Sequence, residues 1–260
     1  MDFTFSILSA QGALLAFTFF FSGIIDAVCG GGGLISLPMY LTIGFPPHLV
    51  TGTNQCSIFF GGATSLARYM RGGRIHWPTA LITAPLAIVG AFLGARLNLI
   101  LPERILEIVM IVLLPIVTAV ILLKRDFGAE NHVDTISRAR MLGGALFIGL
   151  VIGAYQGFYG AGSGTFFMLA FCLLTRLDLT TASGNTKVVA FCANLASAST
   201  FALSGAVVWP AVLLATVFNI AGSYIGAGLA MKKGAKVIRP MFLFVLALLF
   251  IRLAGTLFGG

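Results

Sequence analysis

Asp26-Ala27-Val28-Cys29-Gly30-Gly31-Gly32-Gly33-Leu34-Ile35-Ser36-Leu37-Pro38 sets four consecutive glycines inside one of the most apolar stretches of the chain. Glycine costs a helix about 1 kcal/mol relative to alanine. In lipid an unpaired backbone amide is costlier still, so such a break persists only where it is buried in protein or lines a cavity. A diluted copy recurs at Gly160-Ala161-Gly162-Ser163-Gly164. Interrupted apolar helices at corresponding places in two halves of a chain are the pattern of a transport site.

The composition agrees with that reading. Of 260 residues, 58% are hydrophobic and 9% charged, against about 25% charged in soluble domains. The mean hydropathy is +1.03. The fold class expected is an all-α polytopic membrane protein. A net charge of +8 would suggest nucleic acid in a soluble chain. Here the basic residues fall in short loops between apolar runs, where they set topology, and nucleic acid is excluded as a partner. Cys29, Cys56, Cys172 and Cys192 show no metal-ligand spacing and read as small packing residues. With no phosphate-binding loop, nucleophile elbow or ligand cluster, we expect no catalytic residue, no metal and no cofactor. The chain is not expected to be an enzyme.

Long apolar runs fall at 7–28, 49–67, 77–97, 105–123, 141–159, 180–203, 209–231 and 237–254, and shorter ones at 34–44 and 165–175. A hydrocarbon core of ~30 Å takes roughly 20 helical residues. The expectation is therefore about eight full transmembrane helices plus two short broken or re-entrant segments, each just after a glycine cluster.

The halves also align. Asp26 pairs with Gln156, Gly30 with Gly160, Asn54 with Asn185, Trp77-Pro78 with Trp209-Pro210, and Gly90/Gly94 with Gly222/Gly226. This order of matches predicts two repeats, residues 1–130 and 131–260, joined by the polar stretch 124–140 within one membrane domain. Arg68, Arg71 and Arg74 occupy a loop whose counterpart, 204–208, is uncharged. The next loop reverses this, since Lys232, Lys233, Lys236 and Arg239 face a counterpart holding Arg104 beside Glu103. Cytoplasmic loops collect Lys and Arg, so matching loops lie on opposite sides. The repeats are therefore expected to be inverted, with both termini extracytoplasmic.

Polar residues within the apolar runs cluster at equivalent places. A charge at mid-bilayer costs at least about 3 kcal/mol, so Asp26 and Lys187 require each other, another partner or a water-filled cavity. Helix starts after Gly33 and Gly164 present free amides and a positive dipole end to an anion. The substrate-binding candidates are Gly30, Gly31, Gly32, Gly33, Asn54, Gln55, Gln156, Gly162, Ser163, Asn185, Thr186 and Lys187. Asp26 is the candidate proton carrier. Partners expected are a small anionic substrate, the lipid bilayer and a coupling proton.

The stretch Asp26 to Pro38, followed by Thr51-Gly52-Thr53-Asn54, Gly153-Ala154-Tyr155-Gln156-Gly157-Phe158-Tyr159-Gly160-Ala161-Gly162-Ser163-Gly164 and Ser183-Gly184-Asn185-Thr186-Lys187, resembles the TauE/SafE family of sulfite exporters, especially its YfcA-like branch. The resemblance implies a permease of the bacterial or archaeal cytoplasmic membrane for sulfite, a sulfonate or a related organic anion, driven by an ion gradient. Onto this sequence it maps Asp26, Gly30 to Gly33, Asn54, Gln156, Asn185 and Lys187. The alternatives are a passive anion channel, using the same groups without a gate, and a transporter of a small non-sulfur carboxylate.

Overall fold

A computed structural model of the chain describes residues 10–102, 131, 133–241 and 243–245. Helix α1, Ala10–Cys29, stops because Gly30 turns to φ +75°, after its amide has donated to the Asp26 carbonyl at 2.8 Å. A left-handed residue is the usual end of a helix and glycine takes it without strain. The chain restarts at once as α2, Gly33–Thr42. Ten residues rise about 15 Å, half of the hydrocarbon core, so α2 cannot cross alone.

Three longer elements follow. Helix α3 runs from Pro47 to Arg71 and closes with Arg68 and Arg71 in its last turn, where cations suit the helix dipole. Helix α4 spans Trp77–Ile100, opened by a proline at its start. Helix α5 is Arg138–Phe158, capped by Ser137 accepting from the Arg140 amide and widened to a π-helix over Phe147–Ile152. Gly149 and Gly153 lie against the α4 backbone at Thr83 and Ala87 in that stretch.

The second break repeats the first. Tyr159 to Gly162 are non-helical, with Gly160 at φ +81° and Gly162 at φ +72°, and α6 then runs Ser163–Leu174. Asp178 caps α7, Leu179–Leu203, by accepting from the amides of Thr180 and Thr181. Helix α8 is Trp209–Lys233, and the chain is helical again over 235–241.

Both short apolar segments are thus present where the glycine clusters predict them. Among the described residues, five helices (α1, α4, α5, α7 and α8) are long and apolar enough to cross a membrane. Helix α3 is as long, but its polar stretch 51–57 and its arginines dilute its apolarity. The expected run at 105–123 and most of 237–254 lie outside the described residues. No strand occurs among those described.

The burial pattern is that of a protein in lipid. Phe17, Leu81, Leu213 and Val217 are exposed, whereas Ser57, Asn54, Asn185 and Lys187 are buried. Helix association in a membrane favours small residues that let backbones approach. Gly222 and Gly226 of α8 abut the carbonyls of Phe20 and Ile24 in α1, and Gly90 and Gly94 of α4 abut those of Leu150 and Ala154 in α5. The main helix contacts repeat in the same way: α1 with α8 and α5 with α4, α3 with α8 and α7 with α4, and α3 with α7 between them.

Candidate functional site

The two breaks meet. A Cβ added to Gly30 would overlap the backbone of Gly164, and one added to Gly164 would overlap that of Gly30. Thr165 Oγ1 donates to the Cys29 carbonyl at 2.9 Å, tying the start of α6 to the end of α1. A Cβ on Gly33 would come within 3.3 Å of the Ala161 Cα. Helices α2 and α6 both begin at this crossing, and their N-cap residues, Gly32 and Gly162, have no side chain with which to cap them.

Beside the crossing lies a cavity of about 40 Å³, lined by Asp26, Gly30, Gly33, Ile58, Phe59, Gly62, Gln156, Gly160, Ser163, Gly164, Lys187, Ala190, Phe191 and Asn194. At about 10–15 Å³ for each water, it has room for about three waters or one small ion. The Phe59 and Phe191 rings of its lining stack on each other, their centroids 5.0 Å apart and their planes 23° from parallel.

Lys187 supplies the positive charge. Its Nζ lies 2.9 Å from Asp26 Oδ2 and also donates to the Asp26 backbone carbonyl. The lysine side chain is 3% exposed and the aspartate 24%, so the carboxylate is the wetter partner. Gln156 donates from Nε2 to the Ala190 carbonyl at 2.9 Å, and its Oε1 accepts from Ser163 Oγ at 3.4 Å. Asn194 donates to the Gln55 carbonyl at 3.2 Å.

Of the residues expected from sequence to bind substrate, Gly30, Gly33, Gln156, Ser163 and Lys187 line the cavity, with Asp26. Gln55 lies one layer behind, donating from Nε2 to the Gln156 carbonyl at 2.6 Å. Gly31 faces Val245, Gly32 faces Ser22 and the Asp26 Cβ, and Gly162 faces Leu34. Asn54 is buried outside the lining with Oδ1 unpartnered, and Thr186 Oγ1 donates to the Ala182 carbonyl within its own helix.

Asn185 also sits outside the lining. Its Oδ1 accepts from the His76 amide at 2.8 Å and its Nδ2 donates to the His76 carbonyl at 3.1 Å, which fastens the α3–α4 loop to α7. We predict that Asn185→Ala lowers stability by about 1–3 kcal/mol by orphaning those two backbone groups. Anion affinity, measured by titration of the folded protein, should change less than threefold.

The cavity residues invisible to motif reading are Ile58, Phe59, Gly62, Ala190, Phe191 and Asn194. Lys187, Ala190, Phe191 and Asn194 follow the i, i+3, i+4, i+7 spacing of one helix face, so a stripe drawn from Lys187 reaches them. None of the four cysteines lines the cavity. All four are free thiols, and the Cys29 and Cys56 sulfurs donate to the carbonyls of Ile25 and Ala198.

The chain is similar to a "Probable membrane transporter protein ORF9" of a Sinorhizobium species, with 36% identity over 243 residues and 92% of each chain covered. A "Probable membrane transporter protein" of Haemophilus influenzae is 32% identical over 235 residues, covering 88% of this chain and 89% of its own. The Escherichia coli protein named "Probable membrane transporter protein YfcA" is 29% identical over 252 residues, covering 95% and 92%. No solved structure matches the chain. The family described as Sulfite exporter TauE/SafE matches residues 15–253, a span that takes in both glycine breaks, the residues that line the cavity and, from within α1 onward, the described helices. The chain therefore belongs to the TauE/SafE family of membrane transporters, and it is an integral membrane protein rather than an enzyme.

Proposed function

We propose that the chain is a secondary transporter that carries a small anion, sulfite, a sulfonate or a related organic anion, through the cavity at the crossed breaks. The observation that carries this reading is Lys187, a buried cation whose carboxylate partner is much the more exposed of the two. An arriving anion can replace Asp26 at Nζ while Asp26 takes a proton or turns to water. The uncapped starts of α2 and α6 add partial positive charge beside the cavity. A volume near 40 Å³ suits an oxyanion of a few heavy atoms. The family's description supports sulfur chemistry.

The same reading makes Asp26 the group that couples transport to a proton gradient across the cytoplasmic membrane of a prokaryotic cell. Proteoliposomes loaded at a different internal pH test it. Sulfite uptake should follow the imposed gradient, and Asp26→Asn should still bind sulfite but lose the pH dependence of transport. Uptake indifferent to the gradient in the native protein would leave a passive channel.

We further propose that residues 1–130 and 131–260 are inverted repeats and that both termini are extracytoplasmic. Support comes from the opposite charge bias of matching loops and from helix contacts that recur with the halves exchanged. Single cysteines at positions 72 and 206, in a thiol-free background, should label from opposite sides of the membrane. Labelling of both from one side defeats the arrangement.

A further inference from the structure

Hydrogen bonds around the cavity recur with their partners exchanged between the halves. Thr53 Oγ1 accepts from the Val208 amide at 3.0 Å as Asn185 Oδ1 accepts from the His76 amide at 2.8 Å. Gly52 abuts the Ala206 carbonyl as Gly184 abuts that of Arg74. By these contacts Thr53, not Asn54, stands opposite Asn185, so the residue equivalent to Lys187 is Gln55 rather than Cys56. Its own bond agrees: Gln55 Nε2 donates to the Gln156 carbonyl as Lys187 Nζ donates to the Asp26 carbonyl.

In that register Ile58, Phe59 and Gly62 stand opposite Ala190, Phe191 and Asn194, and in the register of the two glycine breaks Asp26, Gly30 and Gly33 stand opposite Gln156, Gly160 and Ser163. All twelve line the cavity. The stacked phenylalanines are one such pair. The cavity is thus bounded by two equivalent half-sites. One has a cation and a carboxylate in the lining, and the other has two neutral amides, Gln156 in the lining and Gln55 one layer behind it.

We propose that this asymmetry sets the charge of the ligand, so that the site takes a monovalent anion and Gln55 is the residue that excludes a divalent one. The inference rests on the reading of Lys187 as the anion-binding group. With Asp26 protonated, Lys187 balances one negative charge. A second would remain uncompensated, because the position that carries an ammonium in one half carries in the other a neutral glutamine, set one layer behind the lining.

Methanesulfonate and sulfate are close in size and shape and differ by one charge, which makes them the probes. Their affinities for the purified full chain are read by calorimetric titration with the ionic strength matched. The native protein should bind methanesulfonate at least tenfold more tightly than sulfate. Gln55→Lys should shift that ratio toward sulfate by at least tenfold, while Gln55→Met leaves it unchanged. Should the single lysine prevent folding, Gln55→Lys/Gln156→Asp supplies the counter-charge that the other half has, and the same shift is expected.

Equal binding of both probes by the native chain, abolished in Lys187→Ala, overturns the charge assignment and leaves the anion site standing. A ratio unmoved in folded Gln55→Lys overturns the role of Gln55. If neither probe nor sulfite binds, and Lys187→Ala behaves as the native chain does, the anion-binding reading fails and the inference fails with it.

Discussion

Gly30→Ala should abolish transport and lower stability by about 2–5 kcal/mol. A non-glycine residue held left-handed costs about 1–2 kcal/mol, and Gly30 sits at φ +75°. Overpacking a filled site adds about 1–3 kcal/mol, and a Cβ here would run into the Gly164 backbone. The two terms separate experimentally. Gly44 is also left-handed, at φ +90°, but has nothing within 4 Å of an added Cβ. Gly44→Ala should therefore show the conformational cost alone and keep its transport. Thermal unfolding in detergent and uptake in proteoliposomes are the measurements. A Gly30→Ala protein that melts and transports as the native one does would mean that the two breaks are not held in contact during transport.

Lys187→Ala should weaken anion binding by about 1.5–3 kcal/mol, the range of a hydrogen bond to a charged group. At 1.4 kcal/mol per tenfold, that is roughly a 10- to 150-fold rise in Kd. Removing one partner of a fully buried ion pair would also destabilise by about 3–5 kcal/mol, but Asp26 is a quarter exposed and its carboxylate keeps access to water, so the stability loss should be smaller. The double variant Asp26→Asn/Lys187→Ala removes the stranded charge. It should regain stability over Lys187→Ala without regaining anion affinity. Normal affinity in Lys187→Ala, with expression alone reduced, would make the lysine a strut between α1 and α7 and return the site to the helix starts and amides.

Where apolar runs begin and end, and where glycine breaks them, depends on neighbours a few residues away along the chain. That is why α1, α2, the second break and α6 stand where the sequence places them, and why membrane embedding was legible in composition alone. Asp26 and Lys187 were legible as two charges in need of a partner or a cavity, because the cost of burying a charge does not depend on the fold. That they satisfy one another, 161 positions apart, was decided by the packing of α1 against α7. Asn185 shows the limit from the other side. As a polar residue in an apolar run it reads as a ligand group, yet its amide is spent on the backbone of His76, 109 positions away, and only tertiary structure brings those together. The one-residue difference in register between α3 and α7 has the same origin. Alignment matches residue types, so it sets Asn54 against Asn185. In the repeats proposed above, the hydrogen bonds of Thr53 and Asn185 set Gln55 against Lys187 instead, a correspondence that only the packing of the helices reveals.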